Sequence, residues 1–525
     1  MVKMPNEGPS IFSNKSWWGK RTKLEKVLLF FFSLAIVCSV CLAVILFRKF
    51  TSGFNHVDLC QTNGCVTSAA KVIQNMNIKA NPCEDFYEFA CGKYTENTHI
   101  PDDKVSVNTF DEINEKYLEN YRTILEKPIT DDEITPFKYT KKLYRMCMNS
   151  SKIEEEDFKI FKKMLKDFGG WPVLEGNKWS EMNFDWKETQ YRFRKAGFYH
   201  TQLIASYIDQ PHGGFTKILK KGFNSTIVKA YYDYLVDIAI LYGADKVEAS
   251  KDMMQYMEFK IDLAKILVES EDRRNESAEY NPMTIRELQV RFPSIPWLQY
   301  INTKLEPFVT LTYDDVVIVT LPQYIERMEK LISVTPKRTI ANYLFTSIAE
   351  HQHFNDEMRK KELDFSKIAY GISSYPPKWK RCIYAGGLYL ARSSMYVRKY
   401  MKNNSKHLLE ELITDIKTTF LESLKKNSWM DHKTKKRAIQ KAELMGSYVG
   451  YPDQLLDDDE IKEYYEGLVI HEDSMLKTSI AMTLWNRNKY LKQYYEPYDK
   501  NDWKDKVFPT VVNAFYSWHE NNIRE

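Results

Sequence analysis

The sequence predicts a mainly α-helical protein carried on one N-terminal membrane helix, and three observations predict it. Val27 to Phe47 is an uncharged apolar run of 21 residues, long enough at about 1.5 Å per residue to cross the roughly 30 Å hydrocarbon core. Beyond it, long segments repeat apolar residues at i, i+3 and i+4, the helical period. Glycine and proline are scarce, 19 of each in 525 residues, against 43% hydrophobic residues, which excludes disordered and collagen-like chains.

The N-terminal tail sets the topology. Residues 1–26 hold six cations (Lys3, Lys15, Lys20, Arg21, Lys23, Lys26) and two acids, and the rest of the chain balances at 69 of each sign. The net charge of +4 therefore belongs to the tail, and the folded part carries no basic surplus of the kind that binds nucleic acid. The apolar run is longer than a signal-peptide core and is followed by Arg48 and Lys49 rather than a small-residue cleavage site, so an uncleaved anchor is expected. Five cations between Lys15 and Lys26 outweigh Arg48 and Lys49 on the far side, which predicts a cytosolic N-terminus. The expected plan is a tail (1–26), a transmembrane helix (27–47) embedded in the lipid bilayer, a stalk (48–59) and an ectodomain (60–525), a type II protein of the plasma membrane facing outward.

Cys38 and Cys41 fall inside the apolar run and read as small hydrophobes, with palmitoylation as the alternative. Six cysteines remain outside: Cys60, Cys65, Cys83, Cys91, Cys147 and Cys382. An oxidising compartment and the lack of a C-x-x-C pair favour disulfides over zinc, with 15 full pairings open. Four N-glycosylation sequons lie on the expected outer side, at Asn149, Asn224, Asn275 and Asn403. Asn14-Lys-Ser faces the cytosol and should stay unmodified.

Within the ectodomain, Leu408, Leu409, Leu412, Ile413, Ile416, Phe420 and Leu424 trace one face of a helix over Leu408 to Lys426. Ile227 to Tyr242 and Met253 to Val268 share that period. Asp431 reads as the N-cap of a helix over Lys433 to Met445, and Gly450-Tyr-Pro452-Asp453 as a loop. Two runs read as strands, Asp315 to Leu321 and Pro509 to Tyr516. No linker divides the ectodomain, so two lobes would be interwoven along the chain.

Hydrolytic signatures are missing. The sequence has no G-x-S-x-G, no phosphate loop and no G-x-G-x-x-G. Zinc hydrolysis needs two histidines four apart on a helix beside a glutamate base, and no H-E-x-x-H occurs among the ten histidines. His471-Glu472 is followed by Met475 where the second histidine would stand. His351 and His353, with Glu350 or Glu357 nearby, read as a solvated helix face rather than a metal site.

From Cys60 the string C-x4-C-x17-C-E-D-F-Y-E-F-A-C-G-K-Y, ending at Tyr94, resembles the start of the ectodomain in the neprilysin and endothelin-converting-enzyme family of zinc metallopeptidases. The resemblance continues in order through Leu143-Tyr-Arg-Met-Cys147, Gly170-Trp-Pro172, Ile208-Asp-Gln-Pro211, Trp379-Lys-Arg-Cys382, Trp429-Met-Asp431, Gly450-Tyr-Pro-Asp453 and Val511-Val-Asn-Ala-Phe-Tyr516. It implies two mostly helical lobes around a peptide-admitting chamber: a cap lobe, then a thermolysin-like catalytic lobe of which 509–525 would be the first strand segment. It implies zinc as the family's cofactor, and none held by this chain, whose expected end lies before the zinc helix.

By the same resemblance Asn513 and Ala514 belong to an edge strand that clamps a substrate peptide. Cys60 pairs with Cys65 and Cys147 with Cys382, while Cys83 and Cys91 lack their family partners. Ser106 and Asn114 stand where active members carry arginines that grip the substrate's C-terminal side. The expected function is the N-terminal part of a type II zinc endopeptidase acting on extracellular peptides, inactive as this chain alone. The alternative is a non-catalytic homologue that binds peptides or pairs, as a homo- or hetero-dimer, with family members.

Overall fold

The computed structural model describes residues 17, 21–52, 60–199, 203–204, 208–211, 215–385, 387–401, 403–499, 502–504 and 509–524. Most of the basic tail, part of the expected stalk (53–59) and Glu525 lie outside the described residues. The body is mainly helical, in line with the fold class the sequence predicts. It divides into two compact units, 1–98 and 99–525.

The first unit contains a continuous helix over Lys23–Ser52, whose stretch Lys23–Ile45 is long and apolar enough to cross a membrane. Residues 48–52 of the expected stalk continue this helix. Two shorter helices follow, Asn63–Asn75 and Phe86–Asn97. Thr62 caps the former by accepting from Cys65 N, and Asp85 caps the latter by accepting from Glu88 N at 2.8 Å. The two helices are tied by Asn77, whose Nδ2 donates to Glu88 Oε1 at 2.7 Å. A disulfide joins Cys60 to Cys65, while Cys83, ahead of the last helix, and Cys91, within it, remain thiols.

The second unit is built on two hydrophobic cores. One gathers Phe161, Trp171, Phe193, Tyr242, Tyr256, Trp297, Tyr324 and Phe345 from the middle of the chain. The other joins Tyr121, Leu125 and Leu143 to Cys382, Leu390, Tyr451 and Leu455, residues that flank the first core in sequence. The Cys147–Cys382 disulfide, spanning 235 positions, stitches the two flanks together. The Met475–Lys492 helix serves both cores, with Leu476 in one and Met482 in the other. Its start is held by buried Asp157, which accepts from Ser474 Oγ and from Leu476 N at 3.0 Å.

Local chemistry accounts for the helix boundaries. Asp431 accepts from Lys433 N and Thr434 N, capping a helix over His432–Glu443 that stops two residues earlier than expected, where Gly446 enters a strand. The helix expected from Met253 begins at Lys246 because Asp245 caps it there, and runs to Ile266. Thr226–Tyr242 ends at Gly243, whose φ of 112° is a left-handed conformation that glycine adopts without steric cost. Asn403–Lys426 is helical as its spacing predicts, but only part of its apolar face is covered. Ile413 and Leu424 are buried, whereas Leu408, Leu412, Ile416 and Phe420 stay about half exposed.

Strands are short. β1 (Pro282–Thr284) pairs antiparallel with β2 (Val316–Ile318). The run expected as a strand from Asp315 to Leu321 contributes only those three β2 residues. Asp315 folds back to accept from Thr312 N and Oγ1, and Pro322 opens a helix. The second sheet has the order β3 (Gly446–Tyr448), β5 (Asn522–Arg524), β4 (Phe515–Ser517), with β5 parallel to β3 and antiparallel to β4. The strand expected over Pro509 to Tyr516 is thus corrected to Phe515–Ser517, because only those residues face a partner strand.

Candidate functional site: a cation-lined chamber

A cavity of about 1830 Å³ opens in the second unit, larger than the roughly 300–1,000 Å³ of small-molecule clefts. Its walls come from the helices Trp186–Lys195, Trp297–Leu305 and Met475–Lys492, from β2, and from Trp518 and His519 on the turn between β4 and β5. The hairpin is shaped by Asn521 at φ 53°, whose Nδ2 donates to Lys441 O at 2.9 Å while its Oδ1 accepts from Tyr516 Oη at 3.0 Å.

Asn513 and Ala514 lie immediately before β4, exposed. β4 is an edge strand of its sheet. The Asn513 side chain is turned onto its own backbone, its Oδ1 accepting from Ala514 N at 2.8 Å. A peptide pairing there would have to displace that contact.

One wall carries the Ile208-Asp-Gln-Pro211 motif, whose role is architectural. Gln210 exchanges two hydrogen bonds of 2.8 Å with the backbone of Val268. Asp209 accepts from Arg273 Nη2 at 2.7 Å, and Arg273 also reaches both oxygens of Glu279 at 2.8 and 2.9 Å. These bonds hold Ile208 at φ 53°, a conformation costing a β-branched residue on the order of 1–3 kcal/mol. The Gly170-Trp-Pro172 motif also supports the frame: Trp171 is buried and Val173 N donates to Asn342 Oδ1 at 3.2 Å.

Another part of the lining is basic. Arg194 is 8% exposed and its guanidinium carbon sits 5.9 Å from the Tyr300 ring centre. Lys304 Nζ lies 4.3 Å from the same ring. Arg487 Nη2 donates to the carbonyls of Lys304 at 3.0 Å and Glu306 at 2.5 Å. Burial, aided by the neighbouring Arg487 charge, pulls the Arg194 guanidinium below its usual value. Burial and then Arg194 hold Lys304 well below the usual lysine range. Arg194 and Arg487 carry no local signal, because Tyr-Arg-Phe-Arg-Lys and Asn-Arg-Asn-Lys both read in the sequence as solvated basic helix.

Among the described residues the histidines form no metal site. His351 and His353 fall in the turn after the Lys337–Ala349 helix, which corrects the expected helix face. His351 Nε2 is 3.7 Å from Glu350, and His353 contacts Tyr234 Oη at 2.9 Å and Glu362 at 3.4 Å. His471 lies in the turn before Met475, its backbone bonded to Thr478 Oγ1, and Glu472 pairs with Lys142 at 2.6 Å. Among the described residues no group of three or more His, Cys, Asp or Glu is placed to hold a metal. The described residues therefore offer no donor set that fits zinc.

Three of the four sequon asparagines, Asn149, Asn224 and Asn275, are exposed. Asn403 lies in a helix at a position whose side chain falls outside the described residues.

Residues 82–452 match the model of peptidase family M13. The chain belongs to peptidase family M13. It is similar to Neprilysin-2 of Drosophila melanogaster, with 32% identity over 98% of this chain and 74% of the relative. Membrane metallo-endopeptidase-like 1 of Mus musculus is 30% identical over 89% of this chain, and Neprilysin-11 of Caenorhabditis elegans 28% over 89%. The chain spans 65% and 58% of the length of those two relatives. Among solved structures, the inhibitor-bound zinc metalloprotease ZMP1 of Mycobacterium tuberculosis superposes with a TM-score of 0.69 at 17% identity, over 86% of this chain and 68% of that one. PepO from Lactobacillus rhamnosis gives 0.67 at 16%, over 85% and 71%. Both M13-like structures share the fold of this chain.

Proposed function

We propose that these 525 residues form the membrane anchor and peptide-enclosing body of an M13 metalloendopeptidase that processes extracellular peptides. The zinc ligands of that enzyme would come from residues outside these 525. The observation that carries this reading is a chamber of about 1830 Å³, within a chain matched to the family across 82–452, lined at Trp518 and His519 by the turn that follows the edge strand β4. Peptides would add to that edge by main-chain hydrogen bonds, with the Asn513 side chain and the Ala514 backbone as the clamp. The absence of H-E-x-x-H from the sequence supports assigning no catalytic residue here.

The assignment of residues 1–26 to the cytosol, 27–47 to the bilayer and 60–525 to the exterior, with 509–525 opening the catalytic lobe, rests on the tail charges and the apolar helix. A plasma-membrane location and N-glycans at Asn149, Asn224, Asn275 and Asn403 accompany that topology. A second reading, a non-catalytic homologue that binds peptides or pairs with a family member, is favoured by the same missing metal ligands together with two fully formed cores.

Titration of a labelled peptide with the purified full chain in detergent micelles tests the shared element. Saturable binding is expected, weakened severalfold by Asn513→Ala, since a net hydrogen bond contributes about 1 kcal/mol. No binding at any accessible concentration would refute the first reading and leave of the second only the pairing with a family member.

A further inference from the structure

Two guanidiniums of the chamber have no carboxylate partner among the described residues. Arg194 Nη2 is buried and has no hydrogen-bond acceptor, and no described carboxylate makes an ion pair with Arg194 or Arg487. The contrast with Arg273 on the same cavity is direct, since that guanidinium is matched by Glu279 and Asp209. Glu306, the acid nearest in sequence to Lys304, gives its carboxylate to Tyr191 Oη at 2.9 Å instead. Burying a guanidinium beside a second one, with donors unmatched, is unfavourable unless an anion arrives to accept from them. Three helices converge to create this arrangement: Arg194 from Trp186–Lys195, Lys304 from Trp297–Leu305 and Arg487 from Met475–Lys492.

We propose that Arg194 and Arg487 form a carboxylate-binding subsite of the chamber, so that this protein prefers peptides that present a carboxylate, on a side chain or at the C-terminus. The planar guanidinium of Arg194 matches a carboxylate in two-point geometry, which a lysine would not reproduce. The Tyr300 ring keeps that guanidinium in place through its face. The proposal rests on the peptide-enclosing reading above and adds a substrate class to it.

The test uses fluorescence anisotropy with the full 525-residue chain in micelles, at fixed ionic strength, and three labelled decapeptides. The first has a central Glu and an amidated C-terminus, the second Gln and an amide, the third Gln and a free C-terminal carboxylate. The first or the third should bind at least tenfold tighter than the second, and which one does so separates a side-chain carboxylate from a terminal one. Arg194→Gln and Arg487→Gln should each remove most of that preference, bringing the carboxylate-bearing peptide's affinity down toward that of the neutral one. Arg487 is half exposed, so its variant and the wild-type comparison remain informative if Arg194→Gln misfolds. Equal affinity for all three peptides, or a preference that survives both substitutions, overturns the subsite while leaving the peptide-enclosing reading intact. Failure of every peptide to bind overturns that reading and the subsite with it.

Discussion

Replacing Asp252 with Leu should destabilise the larger core more than any surface change, and the structure indicates by how much. Asp252 is 0% exposed and accepts from Arg338 Nε at 3.0 and 3.1 Å and from Nη2 at 2.6 Å. Arg338 directs its remaining donors to Gly176 O at 2.9 Å and Pro172 O at 3.0 Å, so one guanidinium ties the Lys246–Ile266 helix, the Lys337–Ala349 helix and the Gly170-Trp-Pro172 segment. Removing one partner of a buried pair leaves an uncompensated charge and costs about 3–5 kcal/mol. Glu248, 3.6 Å from Arg338, offsets part of this and places the expected loss near about 3 kcal/mol. Urea unfolding followed by circular dichroism reads the loss, and hydrogen exchange localises it to the Lys246–Ile266 helix. The double variant Asp252→Leu/Arg338→Met should recover at least half of it, because no buried charge then remains unpaired. A single-variant loss below about 1 kcal/mol, or a double variant no better than the single, would show that the guanidinium is not held as described.

The Cys147–Cys382 bridge closes a loop of 235 positions, worth about 5 kcal/mol in the chain-entropy account. Cys147→Ser/Cys382→Ser should therefore lower the thermal midpoint sharply and expose the core around Tyr121 and Leu390 to exchange first. His353 is held below its ordinary value by burial, opposed by the Glu362 charge. Its contribution to stability is full above the unfolded-state value of about 6.5 and is lost as pH falls below it toward the lower folded value. The urea midpoint should thus fall between pH 7.5 and 5.5, and His353→Gln should flatten that slope. Expression in a secretory cell should give a protein whose mobility increases on enzymatic removal of N-glycans, in steps lost singly with Asn149→Gln, Asn224→Gln, Asn275→Gln and Asn403→Gln. Absence of any shift would place these residues on the cytosolic side.

Helices were the most legible part of the sequence, because both their period and their caps are local. Asp431 shows this, capping the helix that its position predicts. The turns from Lys246 to Asp252 escaped notice since their polar residues hide the period, although Asp245 ahead of them carried a readable capping signal. Strands were less legible for a physical reason. The run Val-Val-Asn-Ala-Phe-Tyr has strong strand propensity, yet pairing begins only at Phe515, where Arg524 of β5 lies opposite. The family resemblance singled out Asn513 and Ala514 but gave no sign that the Asn513 side chain turns onto Ala514 N. The basic chamber wall had no local signature at all. Arg192 and Arg194 are two apart on one helix, the first exposed and paired to Glu188 and the second buried against Tyr300, and only tertiary packing distinguishes them.

The central claim, that this chain encloses peptides without itself supplying a metal centre, is tested most directly by hydrolysis of a quenched fluorescent peptide. The purified 525-residue chain should be supplied with zinc, and assayed with and without a chelator. Saturable peptide binding with no chelator-sensitive cleavage is expected. Cleavage that requires zinc and disappears on chelation, tracking the protein through purification, would contradict it by showing that metal ligands reside within these residues.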